Sequence, residues 1–266
     1  MKPAAWWPNW RESPFTFFYL CLLGAGSLTL GALDPQTRSD VLHASSTDVV
    51  HLASRPIFVL VASGLWVSSV VEFILVAVIF GIAASLLERR VGTRATLGVF
   101  LSGHVGATLL TEGAVAVGVL AGELPSSALS RLDVGVSYGL AAIGAAALGL
   151  LPQRWRMGGV VALWAYLGSA LISDPDVTAW GHLLAAALGV AWWPALASLG
   201  VAHKRRRLVR VSLASAAEMG MMVGWSTPPR LPASSWLPRR RSTIRTSSGR
   251  SSSYSTTMPM ARSASS

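Results

Sequence analysis

The chain has 266 residues, of which 52% are apolar and 13% charged, and it carries a formal net charge of +10. A single cysteine, Cys21, excludes an intrachain disulfide framework. No His, Cys or carboxylate cluster has the spacing of a metal site, so neither a metal nor another cofactor is expected.

Apolar runs long enough to cross a hydrocarbon core of about 30 Å as helices recur along the first 200 positions. They cover 14 to 33, 68 to 87, 95 to 114, 132 to 151, 156 to 173 and 178 to 198. The pattern predicts an all-α membrane protein, a six-helix bundle over residues 14–200 behind a short N-terminal segment, 1–13. The first run has no small-residue cleavage site before Asp34, which argues for a retained crossing rather than a signal peptide. Between the first two runs, residues 34–67 are too long for a tight turn. They contain "RPIFVLVASGLWV", too short to span, which reads as a re-entrant or interfacial piece.

Orientation follows from the basic residues between the runs. Lys2, Arg11, Arg89, Arg90, Arg94, Arg154, Arg156, Lys204 to Arg207 and Arg210 fall on one side, twelve in all. Only Arg38, Arg55 and Arg131 fall on the other. Both termini are therefore expected in the cytoplasm, with the plasma membrane the expected location. Many of the eleven Trp, among them Trp6, Trp7, Trp10, Trp192 and Trp193, fall near the expected interfaces and read as anchors.

Beyond the sixth run, 201–225 is basic and apolar but interrupted by Arg210 and Glu218. It reads as an interfacial helix, a seventh crossing being the alternative. Residues 226–266 are rich in Ser and Arg, with too little apolar surface to offset the entropy of ordering, and are expected to be disordered and cytoplasmic. Through residue 200 ten Lys and Arg face eleven Asp and Glu, so the whole positive excess lies beyond residue 200, in 201–225 and this tail together. It shows no aromatic interleaving, so a solvated tail or a contact with anionic lipid is expected, and nucleic acid is not.

Polar side chains inside a bilayer are costly, which makes each one a functional candidate. Glu72 lies near the outer end of the second run, Ser137 near that of the fourth and His182 near that of the sixth. At 1.5 Å per residue the three sit at one level, roughly 6 to 8 Å below the outer surface. A serine needs a base to become a nucleophile, and a histidine titrates in the right range, so Ser137 and His182 are a candidate nucleophile and base. Packing explains the same residues. Gly135 and Gly139 form G-x-x-x-G, and Gly181, Ala185 and Gly189 recur every four positions, as close helix contact requires. "GVSYG" also spells the nucleophile elbow of soluble α/β-hydrolases, but no strand precedes it and no Gly-rich oxyanion loop is present. His104 reads as a hydrogen-bonding group between helices. Glu88 and Arg89 mark a turn at the inner surface, Glu112 falls at the end of the third run although a further apolar stretch, "GAVAVGVLAG", follows it, and Asp174 and Asp176 read as solvated.

These motifs, in this order, resemble the rhomboid family of intramembrane serine proteases. "LERRVGT" (87–93) is similar to the family's E-R-x-x-G turn after the second helix, and "FLSGHVG" (100–106) to its third helix. "GVSYG" falls where the fourth helix carries the serine, and "GHLLAAALG" (181–189) where the sixth carries the histidine. The resemblance implies a six-helix core whose cavity opens outward, lipids and transmembrane substrates as partners, and hydrolysis by Ser137 with His182. It also exposes departures. Where the family's second helix carries His-x-x-x-Asn, this chain has Glu72 and Val76; a further histidine is Val67, and the glycine after the serine is Tyr138. The resemblance assigns these places to oxyanion binding, so Glu72 and Tyr138 are the candidate replacements, and a non-catalytic, client-binding member is the alternative to an active protease.

Overall fold

The computed structural model describes residues 8–67 and 69–203, with residues 209, 212 and 215 individually. The expected interfacial segment 201–225 lies largely outside these residues, and the expected disordered tail 226–266 wholly so. Among the described residues every regular element is helical.

Helix α1 (Pro14–Ala32) begins with Pro at its first position, where a missing N–H costs nothing. A layer of short helices follows: α2 (Pro35–Ala44), α3 (Val49–Ser54) and α4 (Pro56–Ala62). Asp34 caps α2 by accepting from the amides of Gln36 and Thr37, and Asp48 caps α3 through the amide of His51. On α4, Ile57, Phe58 and Val61 are exposed while Val59 and Ala62 are buried. This one-sided pattern suits a helix lying at an interface.

Helix α5 (Val70–Val91) is capped by Ser69 and ends at Gly92, whose φ of 90° favours a residue without Cβ. Helices α6 (Thr93–Leu101) and α7 (Ala107–Leu120) join through a π-type turn, Ser102–Gly106, into one apolar span, Thr93–Leu120. The glycines in that turn permit close contact: a methyl on Gly103 would overlap Ala142, and one on Gly106 would come within 3.1 Å of Leu188. Then come α8 (Ser137–Leu148), α9 (Gln153–Ser173), α10 (Val177–Ala191) and α11 (Trp193–His203), the last two meeting at 45°.

Among the described residues four helical spans, α1, α5, α6 with α7, and α9, are long and apolar enough to cross a membrane, and the bent pair α10 and α11 passes the same test only when the two are taken together. The fourth expected run, 132 to 151, differs. Only Ser137 to Leu148 is helical, about 18 Å of rise, and the residues before Ser137 are not helical. The third run is longer than its apolar stretch suggested, so Glu112 lies within α7 rather than at its end.

Short α8 sits centrally, against α5, α6, the π-type turn, α9 and α10. Its buried side chains are mostly small, Gly139, Ala142, Ala145 and Ala146 among them, so neighbouring backbones approach closely. Gly139 faces the Phe100 ring, and Gly189 faces the carbonyl of Ala142; a methyl at either would overlap. On the far side, Phe15, Tyr19, Phe80 and Phe100 join α1, α5 and α6 through ring contacts 4.8 to 6.2 Å apart. Helix α9 is loosely packed for its length, with Leu167 its only buried residue.

Candidate functional site

The backbone before Ser137 is held from both sides. Thr47 donates its amide and its hydroxyl to the carbonyl of Asp133, each at 2.9 Å, and the hydroxyl also meets the Asp133 carboxylate at 3.2 Å. The amide of Asp133 donates to Ser46 Oγ at 3.0 Å, and that of Gly135 to the Ser63 carbonyl at 2.9 Å. Gly135 has φ 128°, which a side chain would strain, and the chain turns there into α8. On the other side, Arg131 lies 3.5 Å from the buried Glu112 carboxylate and donates to Thr178 Oγ1 at 3.0 Å. Its guanidinium is also 4.0 Å from Asp176, the cap of α10. The layer α2 to α4 thus fixes one face of this segment, and α7 with α10 the other.

Ser137 is therefore the first residue of α8, not one several positions inside a helix, and it is half-buried. No side chain caps this helix. The first closing bond runs from the Leu140 amide to the Val136 carbonyl, and among the described residues the amides of Ser137, Tyr138 and Gly139 meet no acceptor. Free amides at a helix start carry partial positive charge and are suited to an anionic oxygen.

His182 stands on α10, also half-buried. Its ring meets Tyr138 edge to face, centroids 5.2 Å apart and planes at 78°. Tyr138 is itself 3% exposed and packs on Gly181, where any Cβ would overlap its ring. Its hydroxyl stands beside Thr111 without a close hydrogen bond, and among the described residues neither carboxylate oxygen of Glu112 has a partner beyond the ion pair with Arg131. Ser137 Oγ and His182 are not hydrogen-bonded to each other; each contributes a half-buried side chain where α8 and α10 pack together.

Glu72 is placed differently from Ser137 and His182. It is exposed in the first turn of α5, where its amide donates to Ser69 Oγ at 3.1 Å, the arrangement of a helix cap. Val76, one turn further on, is buried. Among the described residues no group of three or more His, Cys, Asp or Glu is arranged to hold a metal.

A family model described as "Rhomboid-like protein" matches residues 9–202. The chain belongs to the rhomboid-like family. No curated protein and no solved structure matches it.

In this rhomboid-like protein the E-R-x-x-G turn has a physical role. Glu88, 2% exposed, accepts four hydrogen bonds: the Phe15 amide (2.9 Å) and Thr93 hydroxyl (2.8 Å) on Oε1, and the Thr16 amide (2.9 Å) and hydroxyl (2.8 Å) on Oε2. The carboxylate at the end of α5 thus caps the start of α1, while Arg89 reaches Glu12 at 3.3 Å. His104, in the π-type turn, donates through Nε2 to the Leu60 carbonyl at 3.0 Å, and Ser63 Oγ lies 3.3 Å away. It ties the short α4 to the third span, and among the described residues it makes no hydrogen bond to Ser137.

The residues that sequence reading missed are Ser46, Thr47, Glu112, Arg131 and Asp133. Thr47 and Asp133 are 86 positions apart, and nothing in either segment's pattern pairs them. Asp176, read as solvated, is 45% exposed and also caps α10 by accepting from the Ala179 amide at 2.6 Å. A usable signal existed only there, an Asp before an apolar helix.

Proposed function

We propose that this rhomboid-like membrane protein is an intramembrane serine peptidase in which Ser137 attacks and His182 acts as the base. The carrying observation is the uncapped start of α8, which puts three unbonded amides beside the serine hydroxyl. These donors lessen the need for a side-chain donor at position 76, where Val76 has none to give. Oxyanion donors of this kind are each worth about two to three orders of magnitude in rate.

In the reaction, His182 takes the Ser137 hydroxyl proton as Oγ bonds to a peptide carbonyl carbon. The carbonyl oxygen gains charge and is met by the α8 amides. Collapse breaks the C–N bond, and the imidazolium proton passes to the leaving amine. Water then hydrolyses the ester with His182 again as base. The Tyr138 hydroxyl, buried beside Thr111, is the remaining side-chain donor candidate near the base.

In this reading the six apolar runs all cross, α8 doing so as a short helix completed by residues 131–136, with both termini in the cytoplasm of a cell whose plasma membrane holds the protein. With the end of α8 at the inner boundary, 18 Å of helix in a core of about 30 Å leaves Ser137 roughly 10 Å below the outer boundary. The substrates are transmembrane segments of other proteins.

A second reading, a client-binding member that does not cut, is favoured by one observation: the ring of Tyr138, rather than the serine hydroxyl, is the group in contact with His182. A fluorophosphonate probe on purified protein separates the two. Labelling that vanishes in both Ser137→Ala and His182→Ala is expected for the peptidase. A folded protein that never labels, beside an active rhomboid labelled in the same detergent, refutes it.

A further inference from the structure

Residues 134–173 contain no Asp or Glu, and neither do residues 177–217. The turn between α8 and α9 lies in the first of these stretches, at the end of α8 away from Ser137, and it presents Arg154 and Arg156. Of the other half-buried arginines, Arg89 meets Glu12 and Arg131 meets Glu112 and Asp176, while Arg38 donates to the Leu30 carbonyl at 2.9 Å. Arg154 and Arg156 meet no carboxylate among the described residues.

The Arg156 guanidinium is nevertheless oriented. It lies 5.3 Å from the Trp193 ring centroid and donates to the Leu151 carbonyl at 3.2 Å. Trp193 is fixed in turn, its Nε1 donating to the Ala145 carbonyl at 3.0 Å and its indole packed on Gly149. Arg154 lies 5.9 Å from the exposed ring of Trp155. Next to these cations, Leu151, Trp155, Met157 and Val161 present exposed apolar surface, the last two one turn apart on α9.

We propose that this turn is a binding site for an anionic phospholipid. The oriented Arg156 guanidinium takes the headgroup phosphate, which Arg matches in shape as well as charge, and Arg154, two positions away on the same helix, adds positive charge at the turn. The acyl chain follows the apolar side of α9 through Met157 and Val161. A soluble phosphate or a nucleic acid would leave that apolar surface uncovered, so a lipid is the occupant that answers both features. This site is independent of Ser137 and His182, so its test stands whether or not the protein cuts.

Native mass spectrometry of the full-length protein, released from micelles doped with equal phosphatidylglycerol and phosphatidylcholine, measures the preference directly. Retention of phosphatidylglycerol is expected to exceed that of phosphatidylcholine by roughly thirtyfold, as two basic groups at a membrane surface would give. Arg154→Gln/Arg156→Gln should bring the ratio near one. Arg154→Gln alone, an exposed change that leaves the Trp193 contact intact, should lower it by roughly fivefold. Arg90→Gln/Arg94→Gln, on the turn between α5 and α6, should leave it unchanged. A preference that survives the first double substitution, or falls equally in the second, overturns the site and leaves only a diffuse surface charge. Displacement of the lipid by glycerol phosphate at equal concentration overturns the part assigned to the acyl chain.

Discussion

Replacing Glu88 by Gln tests whether the E-R-x-x-G glutamate works as a helix cap for α1. The four donors divide evenly, one backbone amide and one hydroxyl on each oxygen. A glutamine offers one oxygen and one NH₂, so whichever way it turns, its NH₂ faces one backbone amide. A hydroxyl can rotate to accept, but an amide cannot. One buried N–H is then left without an acceptor, at about 1 to 3 kcal/mol. Loss of the charge at the start of α1 adds about 0.3 to 1 kcal/mol, and more where the group is buried. A total of about 2 to 4 kcal/mol corresponds, for a domain of this size, to a Tm lower by roughly 5 to 15 °C. Tryptophan fluorescence of the micelle-solubilised protein during heating reads this. Glu12→Gln is the control, because its bond to Arg89 is half exposed, at 48% for Glu12, and such a pair contributes less than about 1 kcal/mol. Equal midpoints for Glu88→Gln and Glu12→Gln would refute the capping argument.

Two further outcomes follow from the packing and the outer layer. Gly189→Ala places a methyl against the Ala142 carbonyl, a backbone atom with no rotamer to escape by, and within 2.9 Å of Ala145 Cβ. It should destabilise by about 1 to 3 kcal/mol, whereas Gly144→Ala, on the same α8 but facing open space, should change the midpoint little or raise it slightly. The Asp48 carboxylate feels burial, which raises its pKa, but hydrogen bonds from the His51 side chain and amide and from Ser46 outweigh it and hold the group below the usual carboxylate range. A depressed folded pKa contributes stability above the unfolded value, about 3.9, and loses it as pH falls through the folded one. Asp48→Asn should therefore flatten the loss of stability below about pH 4, read as unfolding midpoint against pH, and an unchanged acid limb would exclude Asp48 as a source of it.

Apolar length was the legible quantity in this chain. It located α1, α5, α9 and the bent α10 and α11 within a few residues, because a helix must satisfy its own backbone wherever water is absent. The same quantity overextended α8. Val134 and Val136 are as apolar as helix residues, and hydropathy does not register that the segment's backbone bonds go to Ser46, Thr47 and Ser63 instead. The warnings were Asp133 and Gly135, one polar and one permissive; Asp133 was passed over and Gly135 was read as packing. Glu112 and Arg131 were illegible for another reason. Their pairing depends on how α7 and the following loop fold back, which no local pattern encodes.

The small-residue stripe on α10 shows why packing and chemistry were hard to separate by spacing. Gly181 is small because the Tyr138 ring occupies its side, and Gly189 because the α8 backbone does. Both glycines would be needed whether or not Ser137 reacts. They also bring the start of α8 against the helix that carries His182, so the close approach that explains the spacing is the one a serine and its base require. The group that distinguishes the roles is the Tyr138 ring, which sits edge to face on the imidazole. For His182 to take the serine proton, the imidazole must turn from that ring toward Ser137 Oγ. If the ring holds it, the same glycine serves a scaffold that binds membrane segments and leaves them whole.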